Sequence, residues 1–142
     1  MTSPVVLIVD DNDLNRKLVR DVLRAAGLDT LEAATGEEAI RLAREELPDL
    51  VLMDIRLPDL DGTAALRRLR DEAATAQLPV VALTALRGAR EALLEAGFDD
   101  CLEKPIDAVA FPGEVRSFIG RRREAGTPDD REGSTLDGPR CA

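Results

Sequence analysis

The chain has 142 residues, 44% apolar and 33% charged, with a formal net charge of −9; this suits one domain with a real core and a well-solvated surface. The negative charge disfavours a nucleic-acid partner, and no apolar run approaches the ~18 residues of a membrane span. The composition includes two cysteines, Cys101 and Cys141, and no histidine, so no disulfide framework is expected and any imidazole chemistry must come from another molecule. The N-terminus has no basic stretch before its short apolar run, so a signal peptide is not expected and the setting reads as a reducing cytoplasm. Residues 1–120 hold 14 Lys+Arg against 23 Asp+Glu, and residues 121–142 hold 5 of each. All the excess charge therefore sits ahead of the final segment.

Taken in order, short apolar strands alternate with amphipathic segments. PVVLIV (4–9) is a continuous apolar run, as for a strand covered on both faces. Residues 13–26 read as a helix with apolar positions at Leu14, Leu18, Val22 and Ala25, stopped by Gly27. TLEA (30–33) is a short strand, and Thr35 with Glu38 forms a capping box that opens a helix to about Glu46. DLVLM (49–53) is a second apolar strand, followed by a helix over 62–73 with Leu66 and Leu69 inward. PVVALT (79–84) is a third, followed by a helix over 88–96 and the stop Gly97. Asp100–Glu103 form a last short strand, with the preceding Asp99-Asp100 read as a solvated turn. A closing helix over 108–120 carries Phe111, Val115, Phe118 and Ile119, its start delayed if Pro112 takes the first helical position. After Gly120 the chain is polar, rich in Gly and Pro and without apolar period, which reads as a disordered tail.

Five β-α units in strict alternation argue for a parallel sheet with helices on both faces. In such a sheet all strand carboxyl ends share one edge, where open α/β sheets bind ligands. Asp10, Asp11 and Asn12 follow the first strand. Asp54 ends the third, Thr84 the fourth and Lys104-Pro105 the fifth. Three carboxylates in one pocket repel unless a cation intervenes. An all-oxygen donor set suits Mg²⁺, and no cysteine lies near enough in sequence to suggest zinc. Aspartate is a phosphoryl-accepting nucleophile, a lysine places a point charge on phosphate, and a threonine hydroxyl donates to it. Taken singly, each residue has a plainer reading: a strand-to-helix turn at Asp10-Asp11, a solvated strand end at Asp54, a strand residue at Thr84, a turn at Lys104-Pro105. Cys101 alone is a small core residue, and Arg121–Arg123 solvate a helix end. Only the constellation gives Asp54 a reason to be an acid, namely to be phosphorylated.

VLIVDDNDLNRKLV, LVLMDIRLPDLDG, VVALTA and CLEKPI resemble, in order, the signature stretches of the receiver domain of two-component response regulators, over about residues 4–120. The variant VDDNDLNR with MDIRLPDLDG is similar to DivK-like single-domain receivers. The resemblance implies a CheY-like (flavodoxin-like) fold with strand order 2-1-3-4-5, a receiver domain over 1–121 and a tail over 122–142. It implies Asp54 as phosphoacceptor and Mg²⁺ held by Asp10, Asp11, Asp54 and the backbone carbonyl of Arg56. Thr84 and Lys104 would hold the phosphoryl oxygens, with a cis Lys104-Pro105 bond aiming the lysine inward. A histidine kinase or histidine phosphotransferase would supply the phosphoryl group, and protein binding would be the output of a monomer or weak dimer. The chain would not be a turnover enzyme.

Two departures stand out. Cys101 occupies the strand-five place where the family usually has Tyr or Phe, and the Thr84–Lys104 stretch is about two residues shorter than usual. Both favour, mildly, the alternative of a phosphorylation-independent receiver-fold adaptor, which the intact acid cluster opposes. An aspartyl-phosphate phosphatase would need an acid two residues past the nucleophile, where this chain has Arg56. That long side chain could cover the path of attacking water, and slow self-dephosphorylation is expected from it.

Overall fold

The computed structural model describes residues 3–124, with the backbone alone for 120–124. Its elements alternate without exception: β1 (Val5–Val9), α1 (Asp13–Ala25), β2 (Asp29–Ala33), α2 (Gly36–Glu46), β3 (Leu50–Asp54), α3 (Gly62–Asp71), β4 (Val80–Thr84), α4 (Arg90–Ala96), β5 (Asp100–Glu103) and α5 (Phe111–Glu124). The strands form one parallel sheet in the order β2-β1-β3-β4-β5, as expected. No helix among the described residues is long and apolar enough to cross a membrane.

The continuous apolar runs follow from a sheet buried on both sides. Leu7, Val9, Val51, Met53 and Ala82 face α2, α3 and α4, where Ile40, Leu66, Leu69 and Phe98 close one cluster. Their strand neighbours Val6, Ile8, Leu50, Leu52, Val81 and Leu83 face α1 and α5, where Leu23, Phe111, Val115 and Phe118 close the other. Side-chain caps set three helix starts: Asn12 accepts from the Asn15 amide, Thr35 from Glu38 and Asp61 from Ala64. The Glu38 carboxylate reaches back to the Ala34 amide at 2.9 Å, so the capping box is formed one residue further back than its usual pairing. Gly27 and Gly97 stop α1 and α4 at φ 90° and 114°.

The structure corrects four local expectations. In α1, Leu14 and Leu18 are exposed, and Val19 and Leu23 are buried instead. Two apolar stripes lie side by side on this helix. The Arg16 guanidinium decides between them by donating to the Asp10 carbonyl at 2.6 Å and to Glu32 at 3.3 Å. Asp100 is buried rather than solvated, within 3.5 Å of Arg90. α4 begins at Arg90, since residues 87–88 make a turn, with Gly88 at φ 76°. Cys101 is buried in the α3–α4 cluster, but it is disulfide-bonded rather than a free core thiol.

α5 starts at Phe111, after a turn in which the Asp107 carboxylate accepts from Val109 at 3.0 Å and Ala110 at 3.4 Å. Pro112 therefore sits in the first helical turn, where its missing N–H costs nothing. The helix runs past its expected end at 120 to reach Glu124. The Arg121–Arg123 side chains and the tail beyond Glu124 lie outside the described residues.

Candidate functional site

Strand register brings the polar strand ends to one edge. Val9 pairs with Met53, Asp54 with Leu83 and Thr84 with Glu103. Asp10, the residue after β1, therefore lies level with Asp54, and Lys104, after β5, lies one residue past the partner of Thr84.

Asp10 is buried at 2% exposure. Its amide donates to the Ala33 carbonyl at 3.1 Å, and its own carbonyl accepts from Arg16, so both β2 and α1 hold it. Oδ1 accepts from the Asn12 amide at 2.9 Å, and Oδ2 accepts from Lys104 Nζ at 3.2 Å. Asp11 is exposed. One carboxylate oxygen from each of Asp10, Asp11 and Asp54 lies within 4.8 Å of the other two.

Asp54 ends β3 with its side chain 13% exposed. Oδ1 accepts from the Arg56 amide at 3.2 Å, and Oδ2 accepts from Lys104 Nζ at 3.1 Å. Burial pushes its carboxyl above the ordinary value; the Arg56 amide and Lys104 pull the other way, and neighbouring Asp10 adds to the rise. Burial works against the Lys104 ammonium too, but hydrogen bonding and charge from Asp54 and Asp10 outweigh it and raise its pKa. The Lys104–Pro105 peptide is cis, as expected.

Thr84 ends β4 at 4% exposure. Its Oγ1 accepts from the Leu86 amide at 3.0 Å, which leaves the hydroxyl proton for donation. Its carbonyl accepts from the Lys104 amide at 2.8 Å, which ties the two residues together. The Arg56 side chain is exposed, and Arg56 meets the site through its backbone. It bridges Asp61, and the Gly62 amide closes the loop on the Ile55 carbonyl at 2.7 Å.

Three supporting residues escaped the sequence reading. Arg16 holds the Asp10 carbonyl; its signal was a place on the buried Val19–Leu23 row. A Cβ at Gly62 would lie 2.9 Å from the Asp54 carbonyl oxygen and 3.0 Å from Ile55 Cα, so only glycine lets α3 start so close behind the acid. Asp59, in the same loop, accepts from the first amides of α2; nothing in the sequence marks that pairing.

Three carboxylates against one ammonium leave two uncompensated negative charges in a site lined by oxygen. That donor set fits a hard divalent cation better than zinc or copper, whose sites use histidine or thiolate. The same edge offers a carboxylate nucleophile, a lysine and a hydroxyl donor, the parts needed to take up and hold a phosphoryl group.

Residues 6–116 match the family model for the response regulator receiver domain. The polar-differentiation response regulator DivK of Brucella ovis is 40% identical over 117 residues, which cover 81% of this chain and 95% of that one. The receiver domain of a sensor histidine kinase from Pseudomonas aeruginosa, solved with a magnesium ion coordinated in its active-site cleft, is 36% identical. It has a TM-score of 0.76 and covers 84% of this chain and 99% of that one. A Francisella response regulator receiver domain is 30% identical with a TM-score of 0.77, over 84% of this chain and 98% of that one.

Proposed function

The chain belongs to the response regulator receiver domain family of two-component signalling, and from that premise we propose that Asp54 is its phosphoryl acceptor. The observation that carries the reading is Lys104 Nζ lying between Asp10 and Asp54, at 3.2 and 3.1 Å, beside the buried Thr84. Asp10, Asp11, Asp54 and the Arg56 carbonyl would hold Mg²⁺. When bound, that ion supplies the positive charge that lets an anionic carboxylate approach an anionic phosphoryl group.

The donor is a phosphohistidine on a partner histidine kinase or histidine phosphotransferase, since this chain has no histidine. One Asp54 oxygen attacks phosphorus, the P–N bond to the partner breaks, and the electron pair returns to the imidazole, which takes up a proton. Lys104 is already within reach of Asp54 and follows the charge onto the phosphoryl oxygens. Thr84 donates its hydroxyl proton to one of them. Phosphorylation then shifts a two-state equilibrium that alters protein binding. Cys101 has no aromatic ring to swing inward, so that shift runs through Thr84 and its loop.

The test is intact-mass spectrometry after incubation with acetyl phosphate, with and without Mg²⁺. One Mg²⁺-dependent phosphoryl adduct, absent in Asp54→Ala, is expected. A folded wild-type chain that takes up no phosphoryl group sinks the reading and leaves the phosphorylation-independent adaptor.

A further inference from the structure

Between Asp54 and α3 runs a loop, residues 55–61, that carries Arg56. Its α3 end is fixed by the Arg56–Asp61 bridge and by Asp61, whose carboxylate accepts from the Ala64 amide at 2.8 Å. Its outer end is fixed to a different helix. Asp59 Oδ1 accepts from the Gly36 amide at 2.8 Å and from Leu60 at 2.9 Å, and Oδ2 accepts from the Glu37 amide at 2.9 Å. Gly36 and Glu37 are the first residues of α2, whose opening amides have no partner inside the helix. The helix dipole favours an anion there.

A second contact reinforces the first. A Cβ at Gly36 would lie 3.0 Å from Leu60 Cβ and Cδ1, so the α2 backbone and the loop touch with no room to spare. Leu57 and Leu60 are part-buried against the α2–α3–α4 cluster. The loop is thus held on α3 through Asp61 and on α2 through Asp59 and Leu60, and Asp59 supplies the hydrogen bonds to α2.

We infer that Asp59 is a positioning residue for the phosphorylation site: by anchoring the loop to α2 it holds the Arg56 amide on Asp54 and the Arg56 carbonyl at the metal. The inference rests on the reading of Asp54 as acceptor and Arg56 as backbone ligand. It assigns α2, otherwise remote from the chemistry, a part in setting metal affinity. Outer partners of this kind typically change metal affinity about 10-fold or more when removed.

The experiment compares Asp59→Ala, Asp59→Asn and Arg68→Ala with the wild type. Arg68 pairs with Glu37 at 2.5 Å and so also joins α3 to α2; the Asp59 charge acts on it through space, but its hydrogen bond goes to Glu37 rather than to the loop or the site. Backbone NMR reports on each folded protein, first without metal and then during a Mg²⁺ titration; no tryptophan is needed. In metal-free Asp59→Ala, the Arg56 amide should lose hydrogen-exchange protection, and the Mg²⁺ dissociation constant should rise about 10-fold. Asparagine keeps one acceptor oxygen and should rescue part of both effects. Arg68→Ala should change neither.

Wild-type protection and wild-type Mg²⁺ affinity in either Asp59 variant overturn the inference, as does an equal loss in Arg68→Ala. Should Asp59→Ala not fold, Asp59→Asn against Arg68→Ala decides by the same two measurements. A wild-type chain that binds no Mg²⁺ would overturn the functional reading instead, while the metal-free exchange data still decide whether Asp59 holds the loop.

Discussion

Lys104 is the residue on which the site's charge balance turns. It bonds both Asp10 and Asp54, so on the proposed reading it stands where a cation and a phosphoryl group would compete for the same oxygens. Arg56 illustrates a different division of labour, its backbone at the site and its side chain in solvent. If that side chain shields the acyl phosphate, Arg56→Ala should shorten its lifetime several-fold, measured by the decay of the phosphorylated mass; an unchanged lifetime would refute the shielding. Asp59 gives a pH prediction. Amides of Glu37 and Gly36 hold its carboxyl below the ordinary 3.8. A depressed native pKa means the native state resists protonation. The contribution to stability is thus present above the unfolded pKa and is lost as pH falls through the native one. The Tm gap between wild type and Asp59→Asn should therefore be widest well above the ordinary 3.8 and narrow as pH falls below it. A gap independent of pH would show that the carboxylate's charge contributes nothing.

At the scale of elements, the β3–α3 connection leaves no room for a side chain at Gly62. Gly62 opens α3 directly behind the Asp54 carbonyl, and any Cβ must push backbone rather than a flexible side chain. Gly62→Ala should cost about 1–3 kcal/mol, the usual range for overpacking, read from urea denaturation. It should also lower the phosphorylation rate, because the displaced atoms belong to Asp54 and Ile55. Retention of both properties would mean that α3 can shift without moving the acid. α1 carries the opposite lesson. Its buried row is Val19 and Leu23, anchored by Arg16, and Leu14 is left 78% exposed. Leu14→Ala should therefore leave stability within about 0.5 kcal/mol of wild type, as surface substitutions usually do.

At the scale of the molecule, one sheet separates two apolar clusters, and every interior strand contributes to both. Neither face can be lost without exposing the strands that support the other. Phe118, fully buried under the α1–α5 side, should cost about 3–5 kcal/mol when truncated to alanine. Unfolding should remain a single transition, with probes on both faces reporting one midpoint. Divergent midpoints would show that α5 melts alone. Binding of Mg²⁺ to the native state should add to this stability by mass action, by about 2.7 kcal/mol at a hundred times the dissociation constant. Chelation should remove that gain, and Asp10→Asn should not show it at all.

The sequence by itself determined the order of the elements and the chemistry at their ends. Apolar runs of strand length, a capping box and glycine stops are local signals, and a parallel sheet can only place Asp10, Asp54, Thr84 and Lys104 on one edge. Short-range physics also placed Leu66, Leu69, Phe111 and Phe118 inside. The tertiary structure decided what depends on distance in space. On α1 two apolar rows were equally periodic, and the one that is buried is the Val19–Leu23 row that packs on the sheet, on the side where Arg16 reaches Asp10 and Glu32. Asp100 looked solvated because it follows another acid, Asp99, yet the fold buries it within reach of Arg90. Asp59, 22 residues from the Glu37 amide it bonds, reads in sequence as one more acid in a turn. Its partners are backbone amides, which every residue carries and no sequence pattern can display.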